Sequence, residues 1–167
     1  MTKNWKYRLM PVVILCGLFF SCTQERQPCL TPKTAILKMK SVRKATDDKV
    51  LDTAFNAAVF FPMSPFVSTG TFFAKASGFT LSLSPLSDTC QWRFAPDTAA
   101  GVLYDTLTFV YRRQLTFVSN ACGYSHFFEL DTVFSTHHTV DSASILNRSV
   151  TNNVNTNHVQ VFIRPRP

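Results

Sequence analysis

The side chains of this sequence best suited to nucleophilic chemistry are five cysteines and four histidines. Cys122 and His126 are close in sequence and could form a nucleophilic pair. A neighbouring imidazole lowers the pKa of a thiol and so favours the reactive thiolate. A disulfide at Cys122 is the stronger interpretation. If residues 125–130 form a strand, His126 shares a face with Phe128 and Leu130, which is typical of a structural histidine. We therefore predict no catalytic residue at this position.

Other catalytic and metal-binding patterns are missing from the sequence. None of the five glycines belongs to a Gly-x-Ser-x-Gly turn, which an α/β-hydrolase serine requires. His137 and His138 are adjacent, so on a strand they would point to opposite faces and could not bind one ion. No Cys-x-x-Cys or His-x-x-x-His spacing favours zinc. The ten acidic residues are scattered, so a pair of carboxylates for glycoside hydrolysis can be neither placed nor excluded. We predict no metal and no cofactor.

The amino terminus has the pattern of a cleaved signal peptide. Lys3, Lys6 and Arg8 precede an apolar run over residues 9–20, which is too short to span a bilayer. The run ends at Phe19-Phe20-Ser21-Cys22, which resembles the lipobox of bacterial lipoproteins. We therefore predict that residues 1–21 are removed and that Cys22 carries the lipid.

This assignment predicts the location of the protein. Removal of the signal peptide lowers the net charge from +7 to +4. Only one acid, Glu25, closely follows Cys22, unlike the acid-rich export signals of surface-exposed lipoproteins. We predict an outer-membrane protein that is anchored to the membrane at Cys22, with no nucleic-acid partner. We favour an orientation toward the periplasm, and the cell surface is the alternative.

Three cysteines remain in the predicted mature chain besides Cys22, which permits one disulfide. We favour Cys29–Cys122, which would join the start of the domain to its later strands and leave Cys90 as a buried thiol. Cys90–Cys122 is the alternative pairing.

A further pattern is a set of five Asp-(Ser/Thr)-(small or aliphatic) tripeptides. They resemble the O-glycosylation sequon of exported Bacteroidota proteins. The alternative is that each aspartate ends a turn before a strand begins. The candidate acceptors are Thr53, Thr98, Thr106, Thr132 and Ser142.

Alternation of apolar and polar residues predicts an all-β domain. Residues 105–119 form either one bent strand or a hairpin that turns near residue 113. Residues 45–58 are the only segment that could form a short helix. The fold class predicted is an antiparallel β-sandwich, immunoglobulin-like or jelly-roll-like, with a barrel as the alternative. The other predicted strands cover residues 34–42, 57–61, 71–74, 79–84, 90–94, 125–130, 133–139, 143–150 and 158–163.

Six basic residues lie between Lys33 and Lys49. They indicate either a lysine-protected edge strand or a face attracted to anionic lipid or polysaccharide, and we favour the edge strand. An edge there would also permit a partner to bind by strand addition.

The segments from Asp105 to Arg113 and from Phe117 to Tyr124, with Cys29 before the first strand and the closing residues 158–163, resemble the Bacteroidota lipoproteins of domain of unknown function 6452. The resemblance implies that the equivalents of Cys29 and Cys122 pair, and it implies no activity. Residues 22–30 then form the anchor and linker, and residues 31–164 form one domain. We expect a non-catalytic binding or scaffolding module that contacts another outer-membrane protein or a glycan. The alternatives are an envelope hydrolase and a glycan-binding module.

Overall fold

The computed structural model describes residues 28–31, 34–45, 49–63, 71–96, 103–153 and 155–164. The predicted signal peptide, Cys22 and Thr98 lie outside these residues. The described residues form strands and contain no helix, so the predicted all-β class is confirmed. The strands are β1 Ile36–Lys44, β2 Val50–Asp52, β3 Phe55–Pro62, β4 Thr71–Ala76, β5 Gly78–Ser82, β6 Thr89–Ala95, β7 Asp105–Ser119, β8 Gly123–Ser135, β9 Val140–Ile145, β10 Ser149–Val150 and β11 Val159–Ile163.

The first sheet is built around β1. One side of β1 pairs with β11, and the other side pairs with β5 along its first half and with β2 along its second. The β9 strand pairs with the far side of β11. The β1–β11 pair is parallel and the other pairs in this sheet are antiparallel. The antiparallel prediction is therefore right except at this one central pair.

The position of β1 corrects the interpretation of the basic segment. Because β1 has hydrogen-bonded neighbours on both sides, the prediction that residues 34–42 form an edge strand is wrong. Leu37 and Met39 are buried, whereas Lys38 and Lys40 alternate with them and are half-buried. The lysines thus lie on the opposite face of a central strand, and strand addition to β1 is blocked.

The second sheet has the order β10-β8-β7-β6-β3-β4 and is antiparallel throughout. Residues 105–119 form one continuous strand and not a hairpin. The two strands predicted at 125–130 and 133–139 are likewise one strand, β8. The pairing skips Asp131, since Val110 faces Thr132 and Tyr111 faces Leu130. This bulge moves the inward position from even to odd residue numbers, which explains why the sequence pattern suggests two strands.

The helix considered for residues 45–58 is also wrong for the described part of that segment, because β2 and β3 occupy it. Phe55, Ala58 and Phe60 of β3 are buried. Pairing with β4 and β6 gives these side chains a packed surface that an isolated short helix could not provide.

Aromatic side chains from both sheets form the centre of the core. Phe60 of β3 is stacked on Phe94 of β6, with ring centroids 4.8 Å apart, and contacts Phe79 of β5 across the sheets at 5.0 Å. Phe73 of β4 meets Phe60 and Phe79 edge-on. Because each buried aromatic ring removes a large apolar area from water, this cluster is a main source of the packing between the sheets.

His158, directly before β11, joins the start of that strand to β1 within the first sheet. Its backbone N–H donates to the Lys38 carbonyl, and its ring Nδ1 accepts a hydrogen bond from the Lys38 N–H at 3.0 Å. Burial, together with the Lys38 charge, lowers the pKa of His158. The ring is therefore held neutral, which leaves Nδ1 free to accept.

Candidate functional site

The second sheet has aromatic side chains on both of its faces. Phe60, Phe94 and Phe109 point into the core, so the alternate residues of the same strands lie on the outer face. The strand register places Val59 opposite Phe72 and Phe61 opposite Arg93. It also joins Gln91 to Thr108, and Thr108 to Phe134.

We define the outer-face patch as the four aromatic residues and one arginine that lie on this outer face, from Phe72 on the edge strand β4 to Phe134 on β8, four strands away. The four rings are between 42% and 58% exposed. Tyr104, directly before β7, contacts Phe61 with ring centroids 6.5 Å apart, and the Arg93 guanidinium lies 5.6 Å above the Tyr104 ring. Phe61, Tyr104 and Arg93 thus form a contacting group at the centre of a sheet face with several exposed rings, which is typical of an interaction surface. The residues of the outer-face patch are Phe61, Phe72, Arg93, Tyr104 and Phe134.

The β7–β8 hairpin forms a second unusual surface. β6 pairs with β7 only as far as Val110, and β10 pairs with β8 only as far as Phe128. Residues 114–127 therefore extend past the other described strands by roughly 20 Å, at about 3.3 Å per residue. We call these residues the hairpin arm.

The core-facing side of the sheet continues onto the hairpin arm, where no described strand covers it. Leu115 faces His126, and Phe117 faces Tyr124 with ring centroids 5.4 Å apart. Leu115, Phe117 and Tyr124 are 52–66% exposed. The arm thus presents an apolar face that would be core if the opposite sheet extended this far.

A groove of about 510 Å³ lies at the base of the hairpin arm. Arg113 donates from Nε to the Asp88 carboxylate at 2.6 Å and from a terminal nitrogen to the Pro85 carbonyl. The hydrogen bond to Asp88 raises the pKa of Arg113. The lining residues offer carboxylate, guanidinium and imidazole groups without a hydroxyl or a thiol. They are Asp88, Arg112, Arg113, Leu115 and His126.

The predicted Cys29–Cys122 disulfide is confirmed, and Cys90 is a buried free thiol. The disulfide attaches the turn at the tip of the hairpin arm to Cys29. In this turn Gly123 adopts a φ of +72° and the Cys122 N–H donates to Ser119 Oγ. Burial raises the pKa of Cys90 to about 11, which opposes thiolate formation. Because Cys122 is bonded to Cys29, it has no thiol to form a nucleophilic pair with His126.

The remaining histidines and metal-binding candidates are separated. His126 lies on β8, on the same sheet face as Phe128 and Leu130, as the strand pattern predicts. The backbone N–H and ring of His138 both approach the buried Asp105 carboxylate, whereas His137 contacts the Asp141 carbonyl. No group of three His, Cys, Asp or Glu side chains with metal-binding geometry occurs among the described residues.

The candidate glycosylation positions differ in accessibility. Thr132 and Ser142 are exposed, and Thr106 is half-buried on β7. Thr53 Oγ1 is buried without a hydrogen-bond partner, so a glycan at Thr53 would have to be attached before folding. Thr132 and Ser142 are the sites that an enzyme could reach on the folded domain.

Sequence reasoning did not identify the outer-face patch. Among the tyrosine and tryptophan side chains, Trp92 and Tyr111 are buried, and Tyr104 and Tyr124 are exposed. The available signal was the doublets Phe60-Phe61 and Phe72-Phe73. Adjacent residues on a strand point to opposite faces, so an aromatic doublet indicates that both faces are apolar.

Comparison with known proteins identifies a family but no activity. A family of unknown function, DUF6452, matches residues 47–163 of the chain. No curated protein and no solved structure is similar enough to count as a match. Within the described residues we find no helical stretch with the length and hydropathy required to cross a bilayer.

Proposed function

Since the chain belongs to the DUF6452 family of unknown function, we propose that it is a periplasm-facing lipoprotein of the outer membrane that binds a partner and does not turn over a substrate. The amino-terminal sequence supports the anchor, through the short apolar run that ends at Cys22. The outer-face patch supports the binding role.

The single observation that carries the binding role is the exposure of four aromatic rings on one sheet face. Their strands already bury a full set of apolar residues on the other face, so the exposed rings add nothing to the packing between the sheets. Aromatic residues and arginine are the residue types enriched at the centres of protein interfaces. A protein partner with an apolar, partly acidic surface fits this composition best, because Arg93 is the one charged member of the patch.

Confinement to a membrane makes modest affinity sufficient. A lipid anchor at Cys22 would hold the domain at a surface shared with its partner and so raise their effective concentration. The proposal therefore requires no large interface.

A glycan is the second candidate ligand. Tyr104 is exposed beside Arg93, and on the same outer face the Gln91 amide donates to Thr108 Oγ1 at 3.3 Å. An aromatic ring flanked by amide, hydroxyl and guanidinium groups can stack on a sugar and bind its hydroxyls. Loss of Tyr104 alone would then abolish binding, whereas a protein partner would also depend on Phe72 and Phe134.

The anchor has a direct test. Replacing Cys22 with Ala is expected to abolish labelling by a clickable fatty acid and to block maturation of the precursor, because lipid attachment precedes cleavage. Cys90→Ala is the matched control and should label as the wild type does. Undiminished labelling of Cys22→Ala would refute the anchor.

The binding role is tested by crosslinking in living cells. The wild type should capture one or more envelope proteins, and Phe61→Ser/Phe134→Ser should lose them, since truncating two interface aromatic residues weakens binding by about 30-fold or more. Leu146→Ser removes an exposed apolar residue outside the patch and should not change the capture. The purified protein is assayed in parallel with glycans and with ester, peptide and glycoside substrates. Turnover that a single polar substitution abolishes, without a captured partner, would favour the hydrolase.

A further inference from the structure

The hairpin arm has a fixed relation to the predicted lipid anchor. The disulfide joins its tip to Cys29, with 4.8 Å between the two Cα atoms. Cys29 is seven residues after Cys22 in the sequence. A chain of that length spans at most about 25 Å, whatever its conformation. The tip of the arm is therefore held within about 30 Å of the lipid-bearing residue.

The other end of the second sheet lies far from the tip of the arm. Phe134 lies ten residues beyond Tyr124 on β8, a separation of roughly 33 Å along the strand. The outer-face patch surrounding Phe134 can thus stay accessible while the tip of the arm is close to the membrane.

The side chains near the tip match a bilayer surface. Leu115, Phe117 and Tyr124 form the uncovered apolar face of the arm, and Leu30, beside Cys29, is almost fully exposed. Aliphatic and aromatic side chains of this kind enter the boundary between headgroups and acyl chains, where a tyrosine hydroxyl can remain in contact with water. Phe117 and Tyr124, which face each other across the two strands near the tip, are both uncharged.

We propose that the tip of the hairpin arm inserts into the phospholipid surface to which the chain is anchored, as a second membrane contact. This inference rests on the proposed lipid anchor. Two contacts restrict the rotation of the domain more than one attachment point does. The arm thereby holds the outer-face patch away from the bilayer, facing potential partners.

The disulfide is central to this arrangement. A two-stranded hairpin without a third strand is only marginally stable in water. The Cys29–Cys122 bond attaches the tip to the segment that precedes β1 and leads to the predicted anchor. The arm is therefore the least supported part of the second sheet, and its tip is bonded to a residue seven positions after the predicted lipid-bearing cysteine.

Fluorescence quenching by brominated lipids tests the insertion. The mature lipidated protein carrying Tyr124→Trp is reconstituted in phosphatidylethanolamine–phosphatidylglycerol vesicles with brominated acyl chains. Its emission is expected to fall by roughly half relative to unbrominated vesicles, because the reporter would lie about 5–10 Å deep at the acyl boundary. Phe134→Trp is the matched control at the far end of β8 and should show no such fall. The parent protein, with Trp92 buried in the core, gives the background.

Flotation of the same vesicles separates this inference from the anchor. Protein that floats with the vesicles but shows equal emission from Tyr124→Trp in both lipids would overturn the arm contact and leave the anchor intact. Protein that does not float would overturn both. Quenching of Phe134→Trp as strong as that of Tyr124→Trp would mean that the domain lies flat, which contradicts the orientation proposed here.

Discussion

Replacing Cys29 and Cys122 together with Ser is expected to lower the free energy of unfolding by about 4–5 kcal/mol. The disulfide joins residues 93 positions apart, and in the chain-entropy model a loop of this length restricts the unfolded chain by that amount. Denaturant unfolding of the mature protein measures the change. The loss is predicted to be greatest in the hairpin arm, where hydrogen exchange of the amides at residues 114–127 should accelerate first.

Reduction of the wild type provides the control for this prediction. A reducing agent should reproduce the destabilisation in the wild type and have no further effect on the double variant. Peptide mapping without reduction should recover Cys90 as a thiol. Equal stability of the oxidised and reduced wild type would show that the bond contributes nothing to the fold.

The second large effect is expected at Asp105, whose carboxylate is fully buried. It accepts hydrogen bonds from the backbone N–H groups of His138 at 2.7 Å, Thr139 at 2.7 Å and Val140 at 2.9 Å. It also accepts one from Thr136 Oγ1 at 3.2 Å. This single side chain therefore fixes the turn that carries the chain from β8 in one sheet to β9 in the other.

Asp105→Ala is expected to lower the free energy of unfolding by about 3–5 kcal/mol, because several buried donors lose their acceptor at once. Asp141→Ala is the matched control, since the Asp141 carboxylate is exposed and its ion pair within the described residues is a long one, 3.6 Å from Arg164. It should change stability by less than about 1 kcal/mol. Thermal unfolding of the two variants decides the matter, and a loss at Asp105 no larger than that at Asp141 would contradict the role assigned to the carboxylate.

Asp105 also shows that an Asp-(Ser/Thr) tripeptide in this chain can have a structural cause as well as a resemblance to the glycosylation sequon. It begins an Asp-Thr-Leu tripeptide that matches the glycosylation sequon, yet its carboxylate is fully used inside the fold. Asp131, in a second such tripeptide, occupies the bulge of β8 and pairs with Arg112 at 3.2 Å. At these two positions a structural cause accounts for the aspartate, whether or not the following residue is modified.

The class of the fold could be predicted because its cause is local. Alternating residues such as Leu107, Phe109 and Tyr111 require a strand with one buried face, and the structure contains that strand. The disulfide could be predicted from the position of Cys29 before the first strand and from the family resemblance. The alternation that predicts a strand lies within a few consecutive residues. The disulfide had to be chosen from only three cysteines.

Pairing between distant segments could not be predicted in the same way. The place of β1 at the centre of a sheet depends on its parallel pairing with β11, more than a hundred residues away. The lysines of β1 are compatible with an edge strand as well, so composition did not separate the two arrangements. The outer-face patch also depends on this kind of register, because Phe61 and Phe134 lie on the same face of one sheet only when β3, β6, β7 and β8 are neighbours in that order.

The binding role of the outer-face patch is the central claim, and site-specific photocrosslinking in living cells tests it most directly. A photoreactive phenylalanine derivative is introduced at Phe72 in the patch and, in a separate strain, at Leu146, which is comparably exposed outside it. We predict a discrete crosslinked envelope protein from position 72 that is absent from position 146. Crosslinks of equal yield and identity at both positions, or none at position 72 while position 146 captures a partner, would contradict the claim.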